Sequence, residues 1–283
     1  VFKSQGAVSV VGQINVSGQG FRGGMKVPSG SDYQWGYAGE RTKGVSSARE
    51  TSSAAIIHGG GGAGKGADGS GAGGGHATAG LNGEKILGSS DYGRGAAAFG
   101  DANLTKLYFG GAGGSAGSHA NARTGSAGGA GGGIILVYAD TFTNTGNVTA
   151  DGAKGIDGVW IFDANSGAGG GGGAGGSIYL VADTIALSAS DITAVGGLGG
   201  AKASTSGNGG NGGNGTIRFD ANTITGNSIP VPGCNGTYSL SAGVTTNASG
   251  AYNYTLTAPS SSGYYSVKVN SSFSSLYGQS NTT

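Results

Sequence analysis

Glycine is grouped in blocks along this chain, and the grouping limits the fold more than any other feature. Of 67 glycines in 283 residues, 11 lie in 59–75 and 8 in 166–176, with further blocks over 110–133 and 196–215. Glycine loses the most backbone entropy on folding and brings no side chain to bury. A folded chain of this kind therefore depends on backbone hydrogen bonds and close backbone approach.

Composition argues against several classes of protein. Charged residues make up 10% of the chain and the net charge is +1, whereas nucleic-acid binding needs clustered Lys and Arg. The single cysteine, Cys234, cannot form a disulfide within the chain. No apolar run reaches the roughly 18 residues of a membrane span. The 12 Tyr and 8 Phe, with little net charge, disfavour whole-chain disorder.

Apolar segments between the glycine blocks repeat. Segments 134–142, 178–185 and 217–224 share an Ala-Asp/Asn-Thr element at spacings of 43 and 39 residues, and 8–20 is a partial fourth copy. Each unit is predicted to contain a strand, a tight turn, a shorter strand and a glycine block. One unit cannot bury its own apolar face, but stacked units can.

The predicted fold class is therefore all-β, in two domains. Residues 1–233 are predicted to form a glycine-rich β-solenoid-like domain with packing layers of the polyglycine II kind, in which 21–127 is an irregular elaboration. Residues 234–283 hold only five glycines and three segments of alternating polarity, which predicts a small antiparallel β-sandwich-like module. Fifty residues are few for an independent sandwich, so the module is either incomplete or completed by a neighbour.

Two stretches carry a resemblance to known families. Segments 172–185 and 191–200 resemble the glycine-rich β-solenoid repeats of prokaryotic cell-surface proteins, adhesins and phage tail adhesins. Segment 249–269 resembles the end of a transthyretin-like or Ig-like β-sandwich module of archaeal and bacterial surface proteins. The resemblance implies a location outside the cell and a structural or adhesive role, and it implies no chemistry.

Acceptor sequences for N-glycosylation are an independent indication of an extracellular protein. The pattern Asn-x-Ser/Thr occurs nine times, where chance would give roughly three or four. A glycan would solubilise a nearly uncharged surface, although a Ser/Thr-rich chain also inflates the count. The acceptors are Asn15, Asn103, Asn147, Asn214, Asn235, Asn247, Asn253, Asn270 and Asn281.

Calcium is the one metal that the sequence leaves open. Segment 152–159 approximates a single calcium-binding nonapeptide of a β-roll, with a partial echo at 64–70. Such sites need tandem copies, so we predict no cofactor. Calcium on Asp68, Asp151 or Asp157 stands as the alternative to turn carboxylates that bond their own backbone.

Catalytic motifs are weak, and we predict that the protein is not an enzyme. Segment 59–66 nearly matches a phosphate-binding loop, but Gly66 replaces the required Ser/Thr and no helix is predicted after it. The three histidines lack metal-ligand spacing, and neither a nucleophile elbow nor a carboxylate pair occurs. Cys234 is expected to be a small buried residue.

Aromatic residues in loop-like stretches allow two interpretations. They are either the core of the irregular region or an exposed platform for a glycan or receptor. The residues are Tyr33, Trp35, Tyr37, Tyr92, Phe99, Tyr108 and Trp160.

These patterns favour a non-catalytic extracellular structural protein. It would form a cell-surface filament, sheath or surface layer by self-association through β-edges and glycine-rich packing. The alternative is an adhesin or phage receptor-binding protein that recognises a cell-surface glycan or protein. Ice binding comes third, because no regular Thr-x-Thr ladder is visible in the sequence.

Overall fold

The structure is a computed structural model, and it describes most of the chain up to residue 235. The described residues are 1–29, 34–41, 59–66, 68–86, 91–101, 103–119, 124–159, 167–188, 192–203, 205–226, 228–230 and 234–235. By its internal contacts the chain divides into a unit Val1–Leu240 and a unit Ser241–Thr283. The second unit lies outside the described residues.

Short strands and no helix make up the regular structure of the described residues. The strands are β1 Phe2–Lys3, β2 Ala7–Val10, β3 Gln13–Asn15, β4 Ile134–Tyr138, β5 Thr141–Asn144, β6 Asn147–Thr149, β7 Ser177–Val181, β8 Thr184–Leu187, β9 Ile192–Thr193, β10 Thr216–Asp220, β11 Thr223–Thr225 and β12 Cys234–Asn235. Within this part of the chain, accordingly, no helix is long and apolar enough to cross a membrane.

The strands form three parallel sheets. Sheet A has the order β1-β4-β7-β10-β12, sheet B the order β11-β8-β5-β2 and sheet C the order β3-β6-β9. Ile135 stands opposite Ile178, which stands opposite Ile217. The first three repeats therefore give one strand to each sheet, and the fourth gives β10 to sheet A and β11 to sheet B. Equivalent residues of neighbouring repeats are in register.

A corner at Ala139–Asp140 divides the segment 134–142 between two strands. The strand β4 before the corner joins sheet A, and β5 after it joins sheet B. The corners stack, since the Asp183 N–H donates to the Asp140 carbonyl at 2.9 Å and the Asn222 N–H donates to the Asp183 carbonyl at 3.0 Å.

One apolar cluster draws side chains from all three sheets. Alternate residues are buried in β4, β5 and β8, as period-2 patterning requires. Each such side chain contributes roughly 1.5–3 kcal/mol when fully buried. The largest members are Ile135, Phe142, Val148, Ile178, Leu180, Ile185, Ile192, Ile217 and Phe219.

The glycine segments pack against one another in extended form, and we call them the glycine bundle. They comprise 20–24, 36–39, 59–64, 69–75, 110–117, 125–133, 150–158, 167–176, 194–200 and 207–215. Successive N–H groups of one segment donate to different neighbours. The N–H groups of Gly169, Gly172 and Gly175 donate to the carbonyls of Gly207, Gly210 and Gly213, respectively. The N–H groups of Gly170 and Gly173 donate to a second segment, at Ile156 and Ala153. The N–H groups of Gly171 and Ala174 donate to a third, at Gly114 and Gly111.

Every third residue of that segment thus points to the same neighbour. The period equals the three residues per turn of a polyproline II helix, which has no internal hydrogen bonds and leaves its backbone groups to partners. Side chains do not fit between such segments. A Cβ added to Gly171 would lie 1.8 Å from the Ala72 carbonyl oxygen, and one added to Gly173 would lie 1.9 Å from that of Ala130.

The prediction of a β-solenoid-like domain followed by an antiparallel β-sandwich-like module is wrong. The described residues contain no helix and their strands pair only in parallel, in three sheets, an arrangement that is not shown to be a solenoid or a sandwich. The sequence predicts strands because apolar residues alternate along them. The glycine segments pair through backbone hydrogen bonds, which do not depend on side chains, so the sequence does not indicate which segment packs against which. The strands predicted after residue 236 lie outside the described residues.

Candidate functional site

A cluster of tyrosine, arginine and aspartate lies on the outward face of sheet A. Tyr138 ends β4, Tyr179 lies in the middle of β7, and Arg218 and Asp220 lie on β10. Their neighbours along each strand are buried, so alternation turns these side chains away from the core. The parallel register places Tyr179 directly opposite Arg218.

Hydrogen bonds fix the geometry of this tyrosine cluster. The Arg218 Nε donates to Asp220 Oδ1 at 2.7 Å, and its Nη2 donates to Asp220 Oδ2 at 2.8 Å. The Tyr179 hydroxyl donates to the same carboxylate. The guanidinium also lies 5.1 Å from the centre of the Tyr179 ring. A bidentate, stacked pair of this kind holds both charged groups in one orientation.

The chemistry of the cluster is that of binding. Burial, followed by the hydrogen bond to Asp220, raises the pKa of Tyr179 to about 12, so the phenol stays protonated at neutral pH. Tyr138 is 40% exposed and packs edge-on against Tyr179, with ring centres 6.5 Å apart. The cluster thus offers an exposed aromatic ring beside fixed hydrogen-bonding groups.

Two of the calcium candidates connect neighbouring repeats. Asp151 accepts hydrogen bonds from the Val195 N–H at 2.8 Å and from the Thr193 hydroxyl at 2.9 Å. Asp157 accepts from the Ala201 N–H at 2.7 Å, and Lys154 lies against it. These contacts lower the pKa of Asp157, first through Lys154 and then through the Ala201 N–H.

Asp68, the third calcium candidate, is exposed. The described residues contain no group of three or more His, Cys, Asp or Glu that could hold a metal ion. The structure therefore does not bring the three aspartates together as a metal site, and the alternative of calcium on them has no support from the geometry.

His76 is fully buried in the glycine bundle. Its Nδ1 lies 2.9 Å from the Gly175 carbonyl oxygen, and its ring lies 5.3 Å from that of Phe99. Burial is the main cause that lowers the pKa of His76. The neutral ring donates from Nδ1, and its Nε2 has no hydrogen-bond partner among the described residues. His119 lies half-buried, and His58 lies outside the described residues.

Loop aromatics divide between the two interpretations. Phe99 packs against His76 and, edge-on at 5.8 Å, against Tyr108, which is the core arrangement. Trp35 and Tyr92 instead each carry a cation over the ring, Lys65 and Arg94 respectively. Tyr37 is buried. Tyr33 and Trp160 lie outside the described residues.

Backbone N–H groups of the phosphate-loop-like segment 59–66 already donate hydrogen bonds within the protein. The N–H groups of Gly61, Gly62 and Gly64 donate to the carbonyls of Ala112, Arg94 and Ser115. A phosphate would have to displace these bonds, so the geometry argues against nucleotide binding here.

Cys234 lies in β12 beside Arg218 of β10.

Three of the glycosylation acceptors are exposed: Asn15, Asn103 and Asn147. Asn214 is half-buried and accepts a hydrogen bond from the Gly196 N–H at 3.2 Å. Asn235 belongs to β12, and its side chain is outside the description. Asn247, Asn253, Asn270 and Asn281 lie outside the described residues. Glycosylation stays a prediction.

Sequence reasoning did not single out the tyrosine cluster. Its members lie in three different repeats, and each is an ordinary strand residue within its own repeat. Aligning the repeats is the signal that could have found it, because the alignment puts Tyr179 beside Arg218 and puts Tyr138 and Asp220 in the row two residues later.

No protein-family model, curated protein or solved structure matches this chain.

Proposed function

We propose that this protein is a non-catalytic extracellular structural protein whose copies associate end to end through the edges of its sheets. The observation that carries the proposal is the position of the first repeat. Strands β1, β2 and β3 are the last strands of sheets A, B and C, and all three therefore lie at one end of the stack. No described strand pairs with their outer edges.

That end is poorly protected against association. Natural proteins guard open edges with lysine, proline or inward-pointing charges, because unpaired N–H and C=O groups bind further strands. Here the first 16 residues hold one charged side chain, Lys3, and no proline. Phe2 is 48% exposed, and Val8 and Ile14 are only partly buried against the core.

The partner that we expect at this end of the sheets is a second copy of the same chain. At the opposite end of sheet B lies β11, another parallel edge with Ile224 packed against the core. Contact between unlike ends repeats from copy to copy, and it produces filaments when the rotation does not close into a ring. The glycine bundle, in which side chains do not fit, would make each unit stiff.

Charged residues at the edge test this assembly. In Val8→Lys/Ile14→Lys both substitutions point inward at the open end, and assembly should be lost. Ser9→Lys is the matched control, because it adds the same charge to the same strand on the outward side. Light scattering over a concentration series and electron microscopy measure assembly, and circular dichroism checks folding. Particles of the original protein that stay single at all concentrations would refute the proposal, as would undiminished assembly of the double variant.

An adhesin is the second candidate, and the tyrosine cluster favours it. Sugars stack on exposed aromatic faces and hydrogen-bond to fixed carboxylate and guanidinium groups. Tyr138→Ala should abolish binding to a panel of immobilised glycans, whereas Tyr92→Ala, whose ring is covered by Arg94, should not. Absence of any glycan binding by the original protein would exclude this candidate.

A further inference from the structure

Sheet B presents two rows of small side chains on its outward face. Successive strands are in register, so residues of the same kind from different repeats become neighbours. The first row consists of Ala7, Thr141, Thr184 and Thr223, and the second of Ser9, Thr143, Ala186 and Thr225. Six of these eight positions carry a hydroxyl group, and none carries a charge.

The hydroxyls of these rows are not bonded by the part of the chain that the structure describes. None of the six donates to, or accepts from, another described residue, and all eight positions are exposed or half-exposed. Sheet C differs, because there the Ser17 hydroxyl bonds to that of Thr149 at 3.2 Å and the Thr193 hydroxyl bonds to Asp151 at 2.9 Å. The hydroxyls of sheet B are thus available to something outside the chain.

Sheet geometry makes the rows a two-dimensional lattice. Neighbouring strands are about 4.8 Å apart and alternate residues of one strand about 6.7 Å apart, and both repeats apply across the face. Threonine is restricted at χ1 by its branched Cβ, so its hydroxyl and methyl groups keep few orientations. The evenly spaced hydrogen bonds of parallel pairing repeat the same geometry from strand to strand.

The small area of the lattice and its lack of charge limit the kind of ligand that this face can bind. The rows span about 14 Å by 7 Å between Cα positions, far below the roughly 800 Å² that each partner gives to a stable protein interface. A face without charges does not complement an ion, a phosphate or a nucleic acid. The hydroxyl lattice is instead complementary to an uncharged, periodic array of oxygen atoms with similar spacing. Planes of hexagonal ice are such arrays.

We propose that the outward face of sheet B binds ice. The hydroxyls of Ser9, Thr141, Thr143, Thr184, Thr223 and Thr225 take positions of lattice water, and the intervening methyl groups lie over the gaps between them. Water that bridges two surfaces is nearly as favourable as a direct hydrogen bond when it is held in place.

Bulky residues at the centre of the lattice test this site. Thr143→Tyr/Thr184→Tyr raises two rings above the plane of the face, so contact with a flat crystal should be lost. Gln13→Tyr is the matched control, because it adds the same ring to the exposed face of sheet C. The measurements are the growth of ice crystals in frozen solution on annealing and the partition of the protein into a growing ice front, with circular dichroism to confirm folding.

The original protein and Gln13→Tyr should slow crystal growth and enter the ice, and the double variant should lose both effects while remaining folded. Absence of both effects in the original protein would overturn the proposal. Retention of both effects in a folded double variant would also overturn it, since another surface would then be responsible. If the double variant does not fold, Thr184→Lys replaces it, with the same expected loss.

Discussion

The three-sheet core and the glycine bundle are stabilised by opposite means. In the core, large side chains such as Phe142 and Phe219 are fully buried, and the backbone pairs only within each sheet. In the bundle the interior is mostly backbone with small side chains such as Ala72 and Ala112, and each segment bonds to several neighbours. The comparison shows that one chain can use side-chain burial where it has side chains and close backbone approach where it has none.

Adding a single methyl group to the bundle should have the largest effect. Gly171→Ala places a Cβ 1.8 Å from a backbone oxygen that is itself held by neighbouring segments, so no side chain can move aside. We expect loss of soluble, folded protein. Gly6→Ala is the control, since nothing lies within 4 Å of its added Cβ, and its melting temperature should not fall. Equal tolerance of both changes would contradict the packing described for the bundle.

Removing a large side chain from the core is the converse change. Phe142→Ala leaves a cavity at a fully buried position and should lower the free energy of unfolding by about 3–5 kcal/mol. Denaturant titration of this variant measures the loss. A cost below about 1 kcal/mol would mean that the core contributes less than burial suggests.

Contacts between repeats should give a smaller effect. Asp151→Ala leaves the Val195 N–H without its acceptor and should cost about 1–3 kcal/mol. Lys154→Ala, whose ion pair with Asp157 is about half exposed, should cost about 1 kcal/mol or less. Thermal unfolding of the two variants side by side distinguishes a connecting carboxylate from a surface pair, and the reverse ranking would refute the assignment.

Acidification should have the mildest effect, through His76. Its pKa is lowered in the folded protein, so the unfolded state binds more protons in the window below the ordinary value of about 6.5. Its contribution to stability is fully present above that pH and is lost as pH falls, by at most about 1.4 kcal/mol per pH unit. Unfolding measured between pH 7.5 and 5 should show this slope, and His76→Gln should flatten it. An unchanged slope in the variant would assign the effect to other groups.

The sequence predicts the strands better than it predicts which strands and segments contact one another. Alternation of apolar residues predicts strand structure around Ile178 and Ile217, because that pattern is local. It does not show that segment 134–142 turns a corner at Asp140, since Asp-Thr occurs there without glycine or proline. For the glycine segments no side-chain pattern indicates which segment bonds to which.

The candidate surfaces were hidden for a related reason. Thr141, Thr184 and Thr223 lie about 40 residues apart, and only the parallel register makes them neighbours. Asp151 was expected to bond its own backbone, as turn aspartates do, whereas it bonds to the next repeat. Both features depend on the offset between repeats, which pairing determines and composition does not.

The order of contacts in the bundle also bears on how the chain folds as it is made. The N–H of Gly71 donates to the Gly169 carbonyl, and the Gly71 carbonyl accepts from the N–H of Gly210. Segment 69–75 can therefore not complete its hydrogen bonds until about 140 further residues have been synthesised. The bundle is therefore complete only when its last glycine segment is present, although segment 69–75 is made long before it.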